Sequence, residues 1–203
     1  AAAAAAAAAT GGAAAGTTAI PTTTPLPTAA YTIRECEARD FHSILAVVND
    51  GAAAYTSLVP PVAHMWAGEP YLSAKELQRD INAGVTFSCR VNNTTQQMVA
   101  VMGTQVMHGE VTLIRHAYVR TASRREGHGS TMLRHLLQKI DMPVLLGTWA
   151  AANYAVSFYE KFGFTLIRDT LERDRLYRRY WHWSLSDAQR EVSVVFADQR
   201  GMR

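Results

Sequence analysis

The sequence predicts an α/β fold built on a mixed sheet of about seven strands flanked by helices. Two observations carry this prediction. Three strand-like runs follow one another between residues 85 and 119 with only short turns between them, which is typical of an antiparallel meander. Strand-like and helix-like patterns then alternate as β-α-β-α-β, and a closing strand follows near residue 197. A content of 48% hydrophobic and 18% charged residues fits a folded globular domain.

The first part of this domain predicts one strand and two helices. Residues 31–36 alternate in the manner of a half-buried strand. Asp40 then stands at the N-cap position before the apolar spacing of a helix. Ser73 and Glu76 have the spacing of a capping box, and Gly84 is expected to end the second helix.

The later elements follow from the same patterns. The meander strands are predicted at residues 85–91, 98–107 and 110–119. The next helix, in residues 120–138 and beyond, is expected to bury Met132, Leu133, Leu136, Leu137 and Ile140. The remaining elements are predicted as a strand at 143–149, a helix at 153–163, a strand at 164–168, a charged helix at 170–181 and a strand at 191–197. The arginines of the charged helix predict either a wall of the substrate pocket or a solvated surface.

Charge and cysteine content exclude several classes of protein. The formal net charge is only +3, which does not favour a nucleic-acid partner. Cys36 and Cys89 are the only cysteines, so we expect no disulfide framework, two small buried thiols and a reducing, cytoplasmic setting. No apolar run approaches the roughly 18 residues that span a bilayer, so we expect no membrane partner.

Residues 1–30 differ in composition from the rest of the chain. They contain alanine, threonine, proline and glycine, with no charged residue and few side chains large enough to pack. We therefore expect a disordered low-complexity tail over residues 1–30 and a folded domain over residues 31–203. A targeting role for the tail is the open alternative, although it lacks the basic residues of a signal or transit segment.

The stretch most informative about function is RTASRREGHGSTMLRHLLQ, residues 120–138. It places two arginines and two glycines where a strand gives way to a helix. Free backbone N–H groups and partial positive charge at a helix N-terminus suit a phosphate, and Gly127 and Gly129 would let one come close. Arg124 and Arg125 add positive charge. A plain packing turn is the alternative, and the spacing matches neither the dinucleotide fingerprint nor the P-loop.

The pattern Arg124-x-x-Gly127-x-Gly129 resembles the acetyl-CoA motif of the GNAT acetyltransferases. A second stretch, NYAVSFYEKFGF at residues 153–164, resembles the second motif of that family. The two motifs occur in the family's order, separated by one strand, and the resemblance covers residues 31 to 197. It implies the GNAT fold, with a splayed sheet, and an N-acetyltransferase that moves an acetyl group from acetyl-CoA directly to an amine.

The resemblance also implies a set of site residues. The end of the strand before the turn would pair with the pantetheine arm, and the N–H groups of the turn would hold the pyrophosphate. The expected cofactor-binding residues are Ala117, Tyr118, Val119, Arg124, Arg125, Glu126, Gly127, His128, Gly129, Ser130 and Asn153. Tyr159 would be the acid that protonates the departing thiolate, and a packed core tyrosine is the alternative. No metal is expected.

The base that accepts the proton of the amine stays open between Glu69 and Glu110. Glu69 lies in the loop before the second helix, and Glu110 lies at the start of the strand that ends at Val119. Strict alternation along that strand would place Arg115 and His116 on opposite faces. We interpret His116 as a buried imidazole with hydrogen-bond partners rather than as the base.

Two rival functions remain at this point. A CoA-binding module without turnover would share every cofactor residue, but would not need Tyr159 as an acid. A nucleic-acid-binding protein would use the arginine clusters, but the balanced charge and the lack of an aromatic-basic platform disfavour it. The expected partner is an amine acceptor of unknown identity, and a homodimer is left open.

Overall fold

A computed structural model of the chain describes residues 30–55, 70–181 and 186–199, and in these ranges seven strands and six helices form the predicted α/β fold. The strands are β1 Tyr31–Glu35, β2 Thr86–Asn92, β3 Met98–Met107, β4 Val111–Val119, β5 Val144–Trp149, β6 Thr165–Leu166 and β7 Ser193–Ala197. The helices are α1 Phe41–Ala52, α2 Ala74–Asn82, α3 His128–Leu137, α4 Asn153–Lys161, α5 Thr170–Tyr180 and α6 Asp187–Glu191. The predicted tail lies outside the described residues.

The strands form one mixed sheet in the order β1-β2-β3-β4-β5-β7-β6. Strands β1 to β4 are consecutive antiparallel neighbours, which confirms the predicted meander. The β4–β5 pair is parallel, and β7 inserts antiparallel between β5 and β6. Phe196 of β7 therefore has Leu146 on one side and Leu166 on the other.

The sheet splays open between β4 and β5. The two strands pair only from Thr112 to Ile114 of β4, although β4 continues to Val119. Ile114 pairs with Leu146 of β5. After Leu146, β5 stays paired with β7 as far as Trp149. The side of β4 that faces β5 after Ile114 consequently has no strand partner, so its backbone groups can bind an extended ligand in the gap.

A bulge interrupts β4 within this unpaired part. Gly103 pairs with Arg115 and Val101 pairs with Tyr118, so two residues of β4 oppose one residue of β3. His116 occupies the bulge with a φ of +49°, in the left-handed region that few residues other than glycine adopt. The expectation of strict alternation is wrong here, because the bulge lets Arg115 and His116 reach the same carboxylate.

Two hydrophobic cores hold the helices against the sheet. The larger core contains buried residues of α1, α2, α3 and α4 together with the central strands. The smaller one lies under α5 and includes Tyr177, Tyr180 and Trp181. Arg175, Arg178 and Arg179 of the charged helix are exposed on its other side. Within the described ranges, no helix combines the length and apolar character that crossing a membrane requires.

The helix starts confirm one predicted cap and correct another. The Ser73 Oγ accepts the Glu76 N–H at 3.2 Å, and the Glu76 carboxylate accepts the Ser73 N–H at 2.8 Å, as the capping box predicts. Asp40 precedes α1 as expected, but its side chain does not cap that helix. A short 3₁₀ turn comes first, and the Asp40 carboxylate reaches back to the Glu37 N–H and the Arg34 guanidinium.

Candidate active site

The turn between β4 and α3 presents a row of free backbone donors. In the part of the chain that the structure describes, no N–H group from residue 125 to residue 130 donates a hydrogen bond. Arg125 and Gly127 have φ values of +67° and +77°, and such left-handed residues in a turn direct successive N–H groups into one concavity. This geometry fits a phosphate, and it agrees with the role that the sequence assigns to the turn.

The C-terminal end of α1 holds this turn in place. The Thr121 N–H donates to the Asp50 carboxylate at 2.5 Å, and the Thr121 hydroxyl donates to the Asp50 carbonyl at 3.1 Å. Arg124 Nη2 donates to the Gly51 carbonyl at 2.7 Å. One arm of the motif arginine therefore anchors the turn to α1.

Gly51 allows α1 to approach β4 closely. A Cβ atom at this position would lie 2.9 Å from Cδ1 of Tyr118 and 3.1 Å from the carbonyl oxygen of Val119. A carbonyl of the strand backbone cannot move aside as a flexible side chain would. Gly51 thus sets the position of the β4 end, where the sequence predicts the backbone that pairs with pantetheine.

The side chain of His128 points into the protein, and only its backbone faces the turn. The imidazole is 2% exposed, and its Nε2 lies 3.0 Å from the Glu126 carboxylate. Its ring meets Tyr31 of β1 edge-on at 4.6 Å. Burial lowers the pKa of His128, with Glu126 acting in the opposite direction. His128 therefore packs as a neutral imidazole and offers only its N–H to a ligand.

Tyr159 lies inside the larger core. Its side chain is 0% exposed and packs against Phe158, Phe164 and Phe196. No described residue accepts or donates a hydrogen bond at its hydroxyl group, and burial raises the pKa of Tyr159 well above its usual range. The hydroxyl thus remains protonated at neutral pH, as a proton donor must.

Three further tyrosines surround this region. Tyr55, Tyr118 and Tyr154 have buried hydroxyl groups; those of Tyr55 and Tyr154 interact with each other, and that of Tyr118 interacts with Tyr71. The ring of Tyr55 lies 6.4 Å from that of Tyr118 and 5.7 Å from that of Tyr154. The cluster makes the space beside the β4 end polar, because Tyr118 is a residue of β4.

The start of α4 lies on the same side as the turn. The Arg124 guanidinium acts on the pKa of Tyr154, so the second residue of α4 is within electrostatic reach of the first motif. Asn153 is the exposed first residue of α4, and its side chain makes no hydrogen bond with the described part of the chain. The two motifs, 24 residues apart between Gly129 and Asn153, therefore meet at one end of the splayed strands.

A buried network of charged groups lies at the β4 bulge. His116 Nε2 is 2.8 Å from Asp80 Oδ2, and Arg115 Nη2 is 3.3 Å from the same oxygen. Arg115 also donates to Gln105 at 2.9 Å. Burial lowers the pKa of His116 to about 4, against the opposing effect of Asp80. His116 is thus the predicted buried imidazole, although its Nδ1 has no partner among the described residues.

The two candidate bases are Glu69 and Glu110. Glu69 lies outside the described residues. Glu110 is in the turn before β4, and its carboxylate accepts two hydrogen bonds from Arg179 Nη2 at 2.5 and 2.6 Å and one from Tyr180 at 3.0 Å. Arg179 lowers the pKa of Glu110. The length of β4 puts about 30 Å between Glu110 and the turn of residues 125–130, named here the phosphate turn for the ligand that its geometry fits. This environment argues against Glu110 as the base.

The chain is similar in sequence to one protein family and in fold to many solved structures. A family profile described as an acetyltransferase (GNAT) domain matches residues 63–177, which is more than half of the 203-residue chain. A search of curated protein sequences gives no match. Many solved structures are similar in fold.

Three of these structures illustrate the likeness. A GNAT-family acetyltransferase from Staphylococcus aureus MU50 is 18% identical, with a TM-score of 0.57, over 83% of this chain and 98% of that one. The ribosomal-protein-S18-alanine N-acetyltransferase from Escherichia coli is 19% identical, with a TM-score of 0.58, over 83% and 92%. The PaiA N-acetyltransferase from Thermoplasma acidophilum, in complex with coenzyme A, is 13% identical, with a TM-score of 0.59, over 83% and 98%. At these identities the likeness concerns the fold.

Proposed function

The chain belongs to the GNAT acetyltransferase family, and we propose that it moves an acetyl group from acetyl-CoA directly to the amine of a small molecule or peptide. The GNAT fold uses acetyl-CoA, and the chain is accordingly an acyltransferase. The observation that carries the proposal is the row of six unpartnered N–H groups, residues 125–130, at the end of a strand that has splayed from its neighbour.

In this proposal the turn binds the pyrophosphate of the cofactor. The N–H groups of residues 125–130 donate to phosphate oxygens, and the exposed Arg125 adds positive charge. The unpaired backbone of Ala117, Tyr118 and Val119 holds the pantetheine arm as a neighbouring strand would. Asn153 contributes its free side-chain amide from the other side of the gap.

The chemistry requires a polarised thioester carbonyl and a proton for the leaving sulfur. Backbone N–H groups of β4 that face the gap can stabilise the negative charge that develops on the carbonyl oxygen. Tyr159 supplies the proton. An exposed thiol has a pKa of about 8.5. Burial raises the pKa of the CoA thiol in the same region as it raises the pKa of Tyr159, so proton transfer from Tyr159 to the thiolate is not strongly uphill.

The proposal extends to the acceptor and to the cell compartment. The acceptor is an amine, with no nucleic-acid or membrane partner, and the cell compartment is the cytoplasm. Direct transfer is favoured because neither cysteine lies in the motif region: Cys36 follows β1 and Cys89 is in β2. A CoA-binding module without turnover would have no need of Tyr159 as an acid.

The experiment compares two tyrosine-to-phenylalanine variants. Tyr159→Phe removes the proposed acid and keeps the packed ring. Tyr177→Phe removes an equally buried hydroxyl, which interacts with Ser193, from the smaller core under α5, so it controls for the loss of a buried polar atom. CoA release is measured with acetyl-CoA and the best acceptor from a panel of polyamines, amino-acid esters and short peptides.

We expect Tyr159→Phe to reduce turnover by roughly 10²–10⁴-fold with nearly unchanged CoA affinity, and Tyr177→Phe to match the wild type. Equal turnover of Tyr159→Phe and the wild type would return Tyr159 to a packing role. A wild-type melting temperature that saturating CoA does not raise would contradict the proposed cofactor site itself, because a ligand of the folded state stabilises it by mass action.

A further inference from the structure

Two free cysteines lie side by side at the edge of the sheet. Cys36 directly follows β1, and its N–H donates to the Phe87 carbonyl of β2 at 2.8 Å. Cys89 pairs in register with Arg34. The two cysteines are therefore diagonal neighbours on one face, and their sulfur atoms lie within 4.8 Å of each other.

From this arrangement we propose that Cys36 and Cys89 form a reversible oxidation site, at which a low-molecular-weight disulfide converts the two thiols into an intramolecular disulfide. The proposal does not depend on acetyl transfer. It assigns a chemical role to the only two cysteines of the chain, neither of which the acetyltransferase site uses.

A cavity gives access to one of the two sulfurs. Cys36 is half-buried and lines a cavity of about 520 Å³, whose walls include Phe41, Ile44 and Phe87. Cys89 is 0% exposed and does not line it. A small disulfide can therefore reach Cys36 first, and Cys89 is placed to resolve the product from within.

The surrounding charges favour a thiolate at the pair. When Cys89 loses its proton, the Cys36 thiol donates a hydrogen bond to the Cys89 sulfur. This bond lowers the pKa of Cys89, and the Arg34 guanidinium acts in the same direction. The same hydrogen bond raises the pKa of Cys36, so the thiolate forms at Cys89 and reaches Cys36 only when the proton between the two sulfurs moves to Cys89. A thiolate, and not a thiol, is the nucleophile in exchange with a disulfide.

The same cluster is less suited to a metal ion. Asp40 would be the third ligand, since its carboxylate lies within 4.8 Å of both sulfurs. Both Asp40 oxygens, however, already bind Arg34 at 2.6 and 2.8 Å, and one of them also accepts the Glu37 N–H. A metal ion would have to displace the guanidinium and would then face its positive charge.

The reaction proceeds in two exchanges that balance. The Cys36 thiolate attacks one sulfur of the small disulfide, forming a mixed disulfide and releasing one small thiolate. The Cys89 thiolate then attacks the Cys36 sulfur, forming the Cys36–Cys89 bond and releasing the second small thiolate. The two protons from the protein thiols end on the two small thiols, so the protein is oxidised by two electrons and the small disulfide is reduced.

The bond would join the two ends of the segment that carries α1 and α2. Linking residues 36 and 89 restrains the opening of this segment, since a disulfide limits the freedom of the chain it encloses. The end of α1 holds the phosphate turn through Asp50 and Gly51. The disulfide would therefore close a loop that contains α1, the helix that holds the turn.

The test uses the full chain without acetyl-CoA, incubated with oxidised glutathione, followed by maleimide labelling of remaining thiols and peptide mapping by mass spectrometry. The wild type should lose both thiols together and yield a linked Cys36–Cys89 peptide that dithiothreitol reverses. Cys89→Ser should stop at a glutathione adduct on Cys36. Cys36→Ser should keep Cys89 unmodified, because the buried sulfur is out of reach.

Three results would overturn the proposal. The wild type could retain both thiols in the same buffer, it could accumulate a glutathione adduct without an intramolecular link, or it could form only links between chains. A parallel titration with Zn²⁺ tests the metal alternative: stoichiometric binding that both serine variants abolish, without oxidation by glutathione, would assign the cluster to a metal. None of these results bears on the proposed acetyl transfer.

Discussion

His116 makes the stability of this protein depend on pH in a defined direction. Its pKa is about 4 in the folded protein, because burial disfavours the charged imidazole, and it returns to about 6.5 when the chain unfolds. Above pH 6.5 the imidazole is neutral in both states. Between pH 6.5 and 4 the unfolded chain binds a proton that the folded protein excludes, so stability falls as the pH falls.

The size of the effect follows from these two values. Linkage of one such proton gives a loss of about 2 kcal/mol between pH 8 and pH 5, and about 3 kcal/mol at pH 4. The groups that face His116 are Asp80 and Arg115. The pKa of Asp80 is lowered from its ordinary value, so this carboxylate stays ionised across the pH 8 to 5 window and adds little to the change.

The matched variant is His116→Gln, whose side-chain amide can still donate to Asp80 but does not titrate. Urea unfolding of both proteins is followed by tryptophan fluorescence at pH 8 and pH 5, at one ionic strength. The wild type should lose about 2 kcal/mol more than the variant over this interval. His128 and His135, whose pKa values are also lowered by burial, are common to both proteins and cancel in the difference. Equal losses would refute the assignment of His116 as a buried, neutral imidazole.

Three further predictions concern the phosphate turn and its support. Gly51→Ala should lower the free energy of urea unfolding by about 1–3 kcal/mol and weaken CoA binding, because the new Cβ would lie 3.1 Å from a strand carbonyl. The control is Gly147→Ala, whose Cβ would make only an ordinary contact at 3.7 Å. Arg125→Gly should stabilise the apo-protein by up to about 1 kcal/mol by relieving its left-handed φ, yet lower the CoA affinity measured by calorimetry. Gly129→Glu should abolish the thermal shift with CoA, and an unchanged shift would mean that the phosphate cradle lies elsewhere.

Most elements of the fold could be predicted because they depend on local patterns. The strand predicted at residues 98–107 is β3 with the same bounds, and the Ser73 capping box starts α2. The insertion of β7 between β5 and β6 could not be predicted in this way. Pairing between strands that are far apart in the chain depends on how the layers pack, and periodicity carries no record of it.

The phosphate turn was predictable for a similar reason, and its support was not. Two glycines and two arginines at a strand-to-helix junction mark the turn within a few residues. The groups that hold it, Asp50 and Gly51, lie more than 70 residues earlier in the chain. The left-handed residues Arg125 and His116 also escaped prediction, since a side chain other than glycine gives no sequence signal for a positive φ.

The limits of the sequence are clearest for the proton-transfer residues. A backbone N–H group donates whatever its neighbours are, so a motif that fixes the chain path also fixes where these donors point. A side-chain acid or base depends on its surroundings, and these come from distant elements. Glu110 illustrates the difference: it lies on the predicted strand boundary, but Arg179, 69 residues away, binds its carboxylate and lowers its pKa. Tyr159 was assigned by the same kind of resemblance, and its apolar surroundings keep the phenol protonated, which is the state that the proposed proton donor requires.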